Sequence, residues 1–318
     1  MSFGHRNPSV GWKVEFKDAL AAEGIKTYFI PAFSDAEQSP HSFFRHYPAL
    51  DGVMNWESWP WGEGPPSSHK DEGYFQSAID HHKTFMMSIS THQYKHLSPH
   101  ENWFRPGTLT LVHRMQQALH LSPHFLQIQT WNDAGESHYM GNVWPNSIGG
   151  SPCHAYIDDF PHAAWQILYR SFIRAFKAGA QHVREMRPVH GTFEGVFWYH
   201  PQLAGVSCAD KLSAPSGREF VEDVVNVAIV VGDECEDTWA TVFSGPDAEQ
   251  IASCRLKPGL NAFKAPGMRV GEQRVEIHRQ RGETSACLAT GIGNVKVSAE
   301  PEVWNFNYAV VGLQQLED

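Results

Sequence analysis

Basic runs, glycine-rich phosphate loops and long apolar stretches are all missing from this chain of 318 residues. Its formal net charge is -10, and no cluster of Lys or Arg interrupts that balance. Duplex nucleic acid is therefore a poor partner, because its phosphates call for basic patches. No window reaches the ~18 uninterrupted apolar residues of a membrane span, so no membrane partner is expected. The opening "MSFGHRNPSVGW" lacks the apolar core of a signal peptide, and the chain as written carries no secretion address. No G-x-G-x-x-G, Walker A or G-x-S-x-G pattern occurs, which leaves a Rossmann-type sheet without its phosphate turn. Cys153, Cys208, Cys235, Cys254 and Cys287 are odd in number and show no C-x-x-C spacing. They predict neither a zinc site nor a dense disulfide framework, though one or two bridges remain open.

What the chain does have is aromatic surplus. Aromatic residues make up 12%, with eleven Trp concentrated in the first two thirds. An apolar share of 42% and a charged share of 19% describe a soluble globular protein with length enough for a real core. Some of the Trp must sit in that core. Others stand among Gly, Pro, Asn and carboxylates, where a core would not put them.

Up to about residue 205, short apolar strands alternate with helical patterns. Strands are expected over Lys26–Phe33, Asp51–Trp56, Thr84–Ser90, His124–Trp131 and Phe193–Tyr199, and helices over Val14–Glu23, Glu72–His82, Thr108–His120 and Ala163–Ala180. Such alternation predicts a parallel sheet. Polar side chains follow each strand: Asp35 and Glu37; Glu57, Trp59 and Trp61; His92, Gln93 and Tyr94; Asp133 and Glu136; His200. Chemistry converging from the carboxyl ends of successive strands is the layout of a (β/α)8 TIM barrel, here incomplete, with about five βα units. Residues 206–223 read as a linker. From residue 224 to 318 the period becomes two, as in "VVNVAIVV" and "TWATVFSG", which predicts an antiparallel β-sandwich domain.

The stretch "LQIQTWNDAGESHYMG" holds the sharpest signal. A strand runs into a loop in which Asp133 and Glu136 stand three apart around Gly135. Glycosidic bonds are cut by two carboxyl groups flanking the scissile oxygen. In an extended loop this spacing allows a separation of several ångström, since the chain advances up to ~3.5 Å per residue. That reach suits an inverting pair, at ~6.5–9.5 Å, better than a retaining one. Trp131 and Tyr139 offer flat faces for a sugar ring, while Asn132 and His138 can hydrogen-bond hydroxyls or orient a carboxylate. The plainer alternative is a strand end whose Asp133 and Ser137 cap the next helix.

"TWNDAGESHYMG" resembles the signature of the fungal family 71 glycoside hydrolases, the α-1,3-glucanases or mutanases. "DGVMNWESWPWG", "MMSISTHQYKHL" and "NWFRPG" precede it in the family's order; "VFWYHPQ" follows, and the resemblance extends to "WNFNYAVVG". It implies a barrel enzyme that hydrolyses α-1,3-glucan with inversion and needs no metal or cofactor. It also implies an extracellular or cell-wall location and a catalytic pair of Asp133 and Glu136, read as base and acid respectively. Endo action and a monomer are expected. The family's catalytic domain begins before the helix that opens this chain, so its first strands are expected to be missing. The alternative is an inactive, shortened homologue that binds glucan.

Among other candidates, Trp56, Glu57, Trp59 and Trp61 sit in a Pro/Gly loop suited to sugar contact. His92 and Tyr94 are expected to line the cleft. Arg105 either pairs with a carboxylate or sugar hydroxyl, or helps start a helix at Pro106–Gly107. His92, His96 and His100 have i, i+4 spacing, but no H-E-x-x-H accompanies it, and no metal site is expected.

Overall fold

The computed structural model describes residues 10–33, 39–281 and 284–316, so Asp35 and Glu37 lie outside the described residues. Contacts gather the chain into two compact units. The first comprises residues up to Ser58, Pro66–Ile89 and Leu121–Ile128; the second comprises Trp59–Pro65, Ser90–His120 and Gln129 onward.

In the first unit, β1 (Gly52–Asn55), β2 (Thr84–Ile89) and β5 (Phe125–Ile128) form a parallel sheet in the order β1-β2-β5. Parallel neighbours need a crossover, and the helix His69–Asp80 supplies it between β1 and β2. Buried Asn55 donates through Nδ2 to Asp71 Oδ1 at 2.8 Å, tying the end of β1 to that helix. Gly52 is needed where the strands close up: a Cβ there would stand 2.6 Å from the Thr84 carbonyl oxygen. The segment expected as a strand over Lys26–Phe33 runs beside β1, its Phe29 and Pro31 carbonyls accepting from Gly52 and Met54 N–H at 3.2 and 2.8 Å, but it closes an isolated bridge, Ala32 with Met54, and no ladder. Pro31 has no N–H to donate, which interrupts a ladder at that point.

In the second unit, β6 (Phe193–Tyr199), β7 (Val224–Val231), β10 (Gly259–Pro266) and β13 (Ala309–Gly312) form an antiparallel sheet in the order β10-β7-β6-β13. A second antiparallel sheet runs β14-β12-β11-β8-β9, from Gln314–Gln315, Thr284–Ile292, Gln273–Arg281, Thr238–Ser244 and Glu249–Arg255. The two sheets share one core: Phe197, Val225, Val227 and Ile229 meet Ala240, Val242, Val275, Ile277 and Ala289. The helix Trp165–Lys177 packs on β6, with Trp165 and Trp198 ring centroids 4.8 Å apart. Its buried Trp165, Leu168, Tyr169 and Phe172 fall at i, i+3, i+4 and i+7, one face of the helix. Gly179, at φ 78°, turns the chain out of it.

Two expectations are corrected here. Phe193–Tyr199, expected as a fifth parallel strand, is antiparallel to both β7 and β13. All seven of its residues are buried, and a run covered on both faces looks the same in either kind of sheet. A hairpin of β3 (Gln93–Ser98) and β4 (Glu101–Arg105) stands where loops were expected. All five cysteines are free thiols. Among the described residues no helix is long and apolar enough to cross a membrane.

Ile229 is fully buried at the centre of the shared core, whereas Val270 is exposed. Ile229→Ala should cost about 2–5 kcal/mol in urea unfolding. Val270→Ala should stay within about 0.5 kcal/mol. Equal effects would show that the two-sheet core does not carry the stability of this unit.

Candidate active site

The loop after Ile128 closes on itself through its backbone. Thr130 N–H donates to the His138 carbonyl at 2.7 Å, and Gly141 N–H to the Trp131 carbonyl at 2.7 Å. Inside this ring, Asp133 N–H donates to Thr130 Oγ1 at 2.9 Å, and Glu136 N–H to Asp133 Oδ1 at 3.2 Å. Asp133 therefore caps a tight turn, not a helix. Ser137 takes a left-handed φ of 63°, which reverses the chain just before His138.

Strand β3 lies against this turn, with Tyr94 N–H donating to the Glu136 carbonyl at 3.1 Å. Side chains alternate along a strand. Gln93 and Lys95 therefore face Glu136, while Tyr94 and His96 point inward. Gln93 Nε2 donates to Glu136 Oε2, and Lys95 Nζ stands 3.4 Å from Oε1 and 2.8 Å from Glu101. His138 supplies the third donor, with Nε2 3.2 Å from Glu136 Oε2 and 3.8 Å from Asp133 Oδ2. The side chain of His138 is fully buried, whereas those of Glu136 and Asp133 are 24% and 43% exposed. Its ring rests against the buried indole of Trp59, centroids 5.1 Å apart. Nε2 is the ring nitrogen placed to donate to the two carboxylates.

The hydrogen bond from His138, then Gln93 and the charge of Lys95, hold the Glu136 carboxyl down at about 2, against the opposing pull of burial. Glu136 is thus a firmly ionised carboxylate, the reverse of an acid kept protonated. Facing oxygens of Asp133 and Glu136 lie within 4.8 Å of each other. That is closer than the spacing expected of an inverting pair.

Trp131 is 54% exposed and lies flat on Gly141, where a Cβ would meet the indole at 2.2 Å. Asn132 is exposed beside it. Trp61 is 74% exposed, with the Arg105 guanidinium 3.3 Å from its ring centre. Trp56, exposed, and Glu57, half-buried, belong to the first unit.

Trp59, expected against substrate, is buried against His138, and His92, Tyr94 and Tyr139, expected there too, also lie inside. Tyr94 donates its hydroxyl to the Trp304 carbonyl and Tyr139 to that of Phe160, while His92 Nε2 pairs with Asn307 Oδ1 at 3.0 Å. Each of these three polar tips is satisfied by protein, so burial costs little. Of the i, i+4 histidines, His92 and His100 lie outside the strand Gln93–Ser98, and the rings of His92 and His96 are taken up by different partners, Asn307 for one and Asn102 with Asp210 for the other. A groove of ≈ 550 Å³ lined by Glu63, His113, Glu219 and Lys264 includes no residue of the Thr130–Gly141 turn.

Lys95 was missed as a site residue, and Gln93, though counted among the polar residues after its strand, was given no role. The signal was the period of two in "QYKHLS", masked by its charge and short length.

The depressed carboxyl has a thermodynamic consequence. Glu136 gives up its proton more readily folded than unfolded, so it adds stability above pH 4.5 that is lost as the pH falls toward 2. The full shift corresponds to about 3 kcal/mol, at ~1.4 kcal/mol per unit. In denaturation series the advantage of the parent over Glu136→Gln should shrink across that window. A constant difference from pH 6 to 2 would remove the three-donor account.

A model of glycosyl hydrolase family 71 matches residues 2–317. Glucan endo-1,3-alpha-glucosidase agn1 of Schizosaccharomyces pombe is 30% identical over 308 residues, 96% of this chain and 67% of that protein. Ascus wall endo-1,3-alpha-glucanase of the same yeast is 29% identical over 240 residues, 71% of this chain and 52% of that protein. Mutanase Pc12g07500 of Penicillium rubens is 30% identical over 270 residues, 82% of this chain and 56% of that protein. The chain thus spans about half to two thirds of the length of the curated relatives it matches. Matched along almost its whole length, this chain belongs to the glycosyl hydrolases of family 71.

Proposed function

We propose that the protein hydrolyses α-1,3-glucosidic linkages within α-1,3-glucan, with Asp133 and Glu136 as its two carboxyl groups. The reading rests on one observation above others: two carboxylates on one solvent-reached turn share a buried imidazole and adjoin an exposed indole. The names of the relatives, two glucanases acting on endo-1,3-alpha linkages and a mutanase, point to the substrate. One of them is named for the ascus wall, which favours a wall polysaccharide met outside the cell. On this reading the parallel sheet is what the described residues hold of a (β/α) barrel, and the two antiparallel sheets make a β-sandwich.

The roles follow from the donors. Glu136, held ionised, is the base, which leaves Asp133, the more exposed carboxyl, in the place of the acid. This reverses the assignment expected from sequence. Asp133→Asn and Glu136→Gln should each lower reducing-sugar release from α-1,3-glucan at least about a hundredfold while folding persists. Retained turnover in both removes the proposal.

Inversion comes from the family resemblance, and the close approach of the carboxylates counts against it. For inversion Asp133 must swing away to admit water. The anomer first released, followed by NMR, decides: β for inversion, α for retention.

Gly141→Ala, by lifting the Trp131 indole off the backbone, should raise KM several-fold with kcat less changed. An unchanged KM removes Trp131 from the substrate path.

The second reading, a glucan-binding homologue without turnover, draws on the shorter span relative to the relatives. Sedimentation with insoluble α-1,3-glucan and no sugar release supports it; release excludes it.

A further inference from the structure

Away from the motif, the sheet β14-β12-β11-β8-β9 carries a second cluster of reactive side chains. Along β11, Val275 and Ile277 are fully buried, so Glu276 and His278 fall on the opposite face. β12 pairs Ile277 with Ala289 and then His278 with Cys287, stepping over Leu288. Without that bulge, alternation would turn Cys287 to the same buried side as Ala289. With it, Cys287 stands directly across from His278. Bulges re-aim a side chain in this way, and they concentrate near functional sites.

The ligating atoms of Glu276, His278 and Cys287 lie within 4.8 Å of one another, and all three residues are half-buried. His278 Nε2 is 2.8 Å from Glu276 Oε2. The other oxygen, Oε1, takes Arg274 Nη1 at 2.8 Å. Arg274 is itself held over the Phe243 ring, 4.5 Å from its centre, so it fixes Glu276 without occupying Oε2.

We propose that Glu276, His278 and Cys287 bind a thiophilic divalent cation of the zinc class, clipping β11 to β12. Thiolate, imidazole and carboxylate are the donor types zinc takes, and three protein ligands leave a fourth position for water. Bonds of about 2.0–2.3 Å set tetrahedral ligand atoms roughly 3.5 Å apart, which small rotamer changes on a rigid sheet can reach. Arg274 acts on the carboxylate from behind, orienting it as outer partners of metal ligands do. Burial and the charge of Glu276 push the Cys287 thiol above its usual range, so the metal-free thiol keeps its proton. On binding, the S–H bond breaks, its proton passes to water and a sulfur–metal bond forms. His278 donates its lone pair as neutral imidazole. No electron changes hands.

Cobalt(II) titrated into the full chain tests this, because thiolate ligation gives a near-ultraviolet charge-transfer band. The second three-ligand group, Asp133, Glu136 and His138, has no sulfur and cannot produce it. The band should saturate at one equivalent and be displaced by zinc. Cys287→Ser should abolish it, His278→Gln should weaken binding at least about tenfold, and Glu136→Gln should leave it intact. Circular dichroism checks the fold of each variant, and the His278 variant serves if the Cys287 variant does not fold. No band in the parent protein overturns the site, as does a band that survives in folded Cys287→Ser or at parent affinity in His278→Gln.

Discussion

The site depends on one buried proton, that on Nε2 of His138, placed between two carboxylates. That N–H has Glu136 as its nearer partner, at 3.2 Å against 3.8 Å for Asp133. Because the ring is fully buried beneath Trp59 and its carbonyl is locked by Thr130, it cannot turn to favour the other. Unequal distances therefore become unequal chemistry: one carboxyl is held ionised by three side-chain donors, and the other keeps solvent on its free oxygen. Two carboxyl groups in different surroundings are what acid–base hydrolysis of an acetal requires.

What keeps that imidazole in place is built from sequence far away. The stretch Trp304–Tyr308 runs through the interior behind the motif. Asn307 accepts from Tyr308 N–H and pairs with His92 through Oδ1, while its Nδ2 donates to the Tyr156 carbonyl and the Tyr139 hydroxyl. His162 stacks on Tyr139 at 4.1 Å and pairs with the Tyr308 carbonyl. A buried amide with both oxygen and nitrogen satisfied permits one arrangement of the chains it joins. The C-terminal segment thereby sets the position of Tyr139, the residue next to His138.

Much of this was legible in the residues, and the failures share a cause. The pair Asp133 and Glu136 was readable because a strand pattern ends abruptly in Asn, Asp and Gly, which is local information. Helices such as Trp165–Lys177 were readable because a buried face repeats every third or fourth residue. Tyr94, Tyr139 and His92 looked like substrate contacts because an aromatic ring with a polar tip is equally suited to a cleft and to a core. The choice turns on whether a carbonyl such as that of Trp304 or Phe160 stands within reach, and those partners are 210 and 21 residues away. β6 was misdirected for a similar reason, since pairing direction leaves no mark on a strand buried on both faces. The hairpin β3–β4 hid behind its charges, although those charges are what the motif uses.

Coupling between the two carboxyls goes further than a shared imidazole. Asp133 Oδ1 accepts the backbone N–H of Glu136, so the orientation of one acid group is part of the turn that carries the other. On the proposed reading, any swing of Asp133 that opens room for water must loosen that bond and free the Glu136 amide. Tyr94 holds Glu136 at its carbonyl, and Gln93 and Lys95 hold it at its carboxylate. On that same reading the strand holds the base while the acid is the one free to move. A turn with one anchored and one released carboxyl can change their separation without disturbing the charge that activates water, and residues three apart in sequence suffice for it.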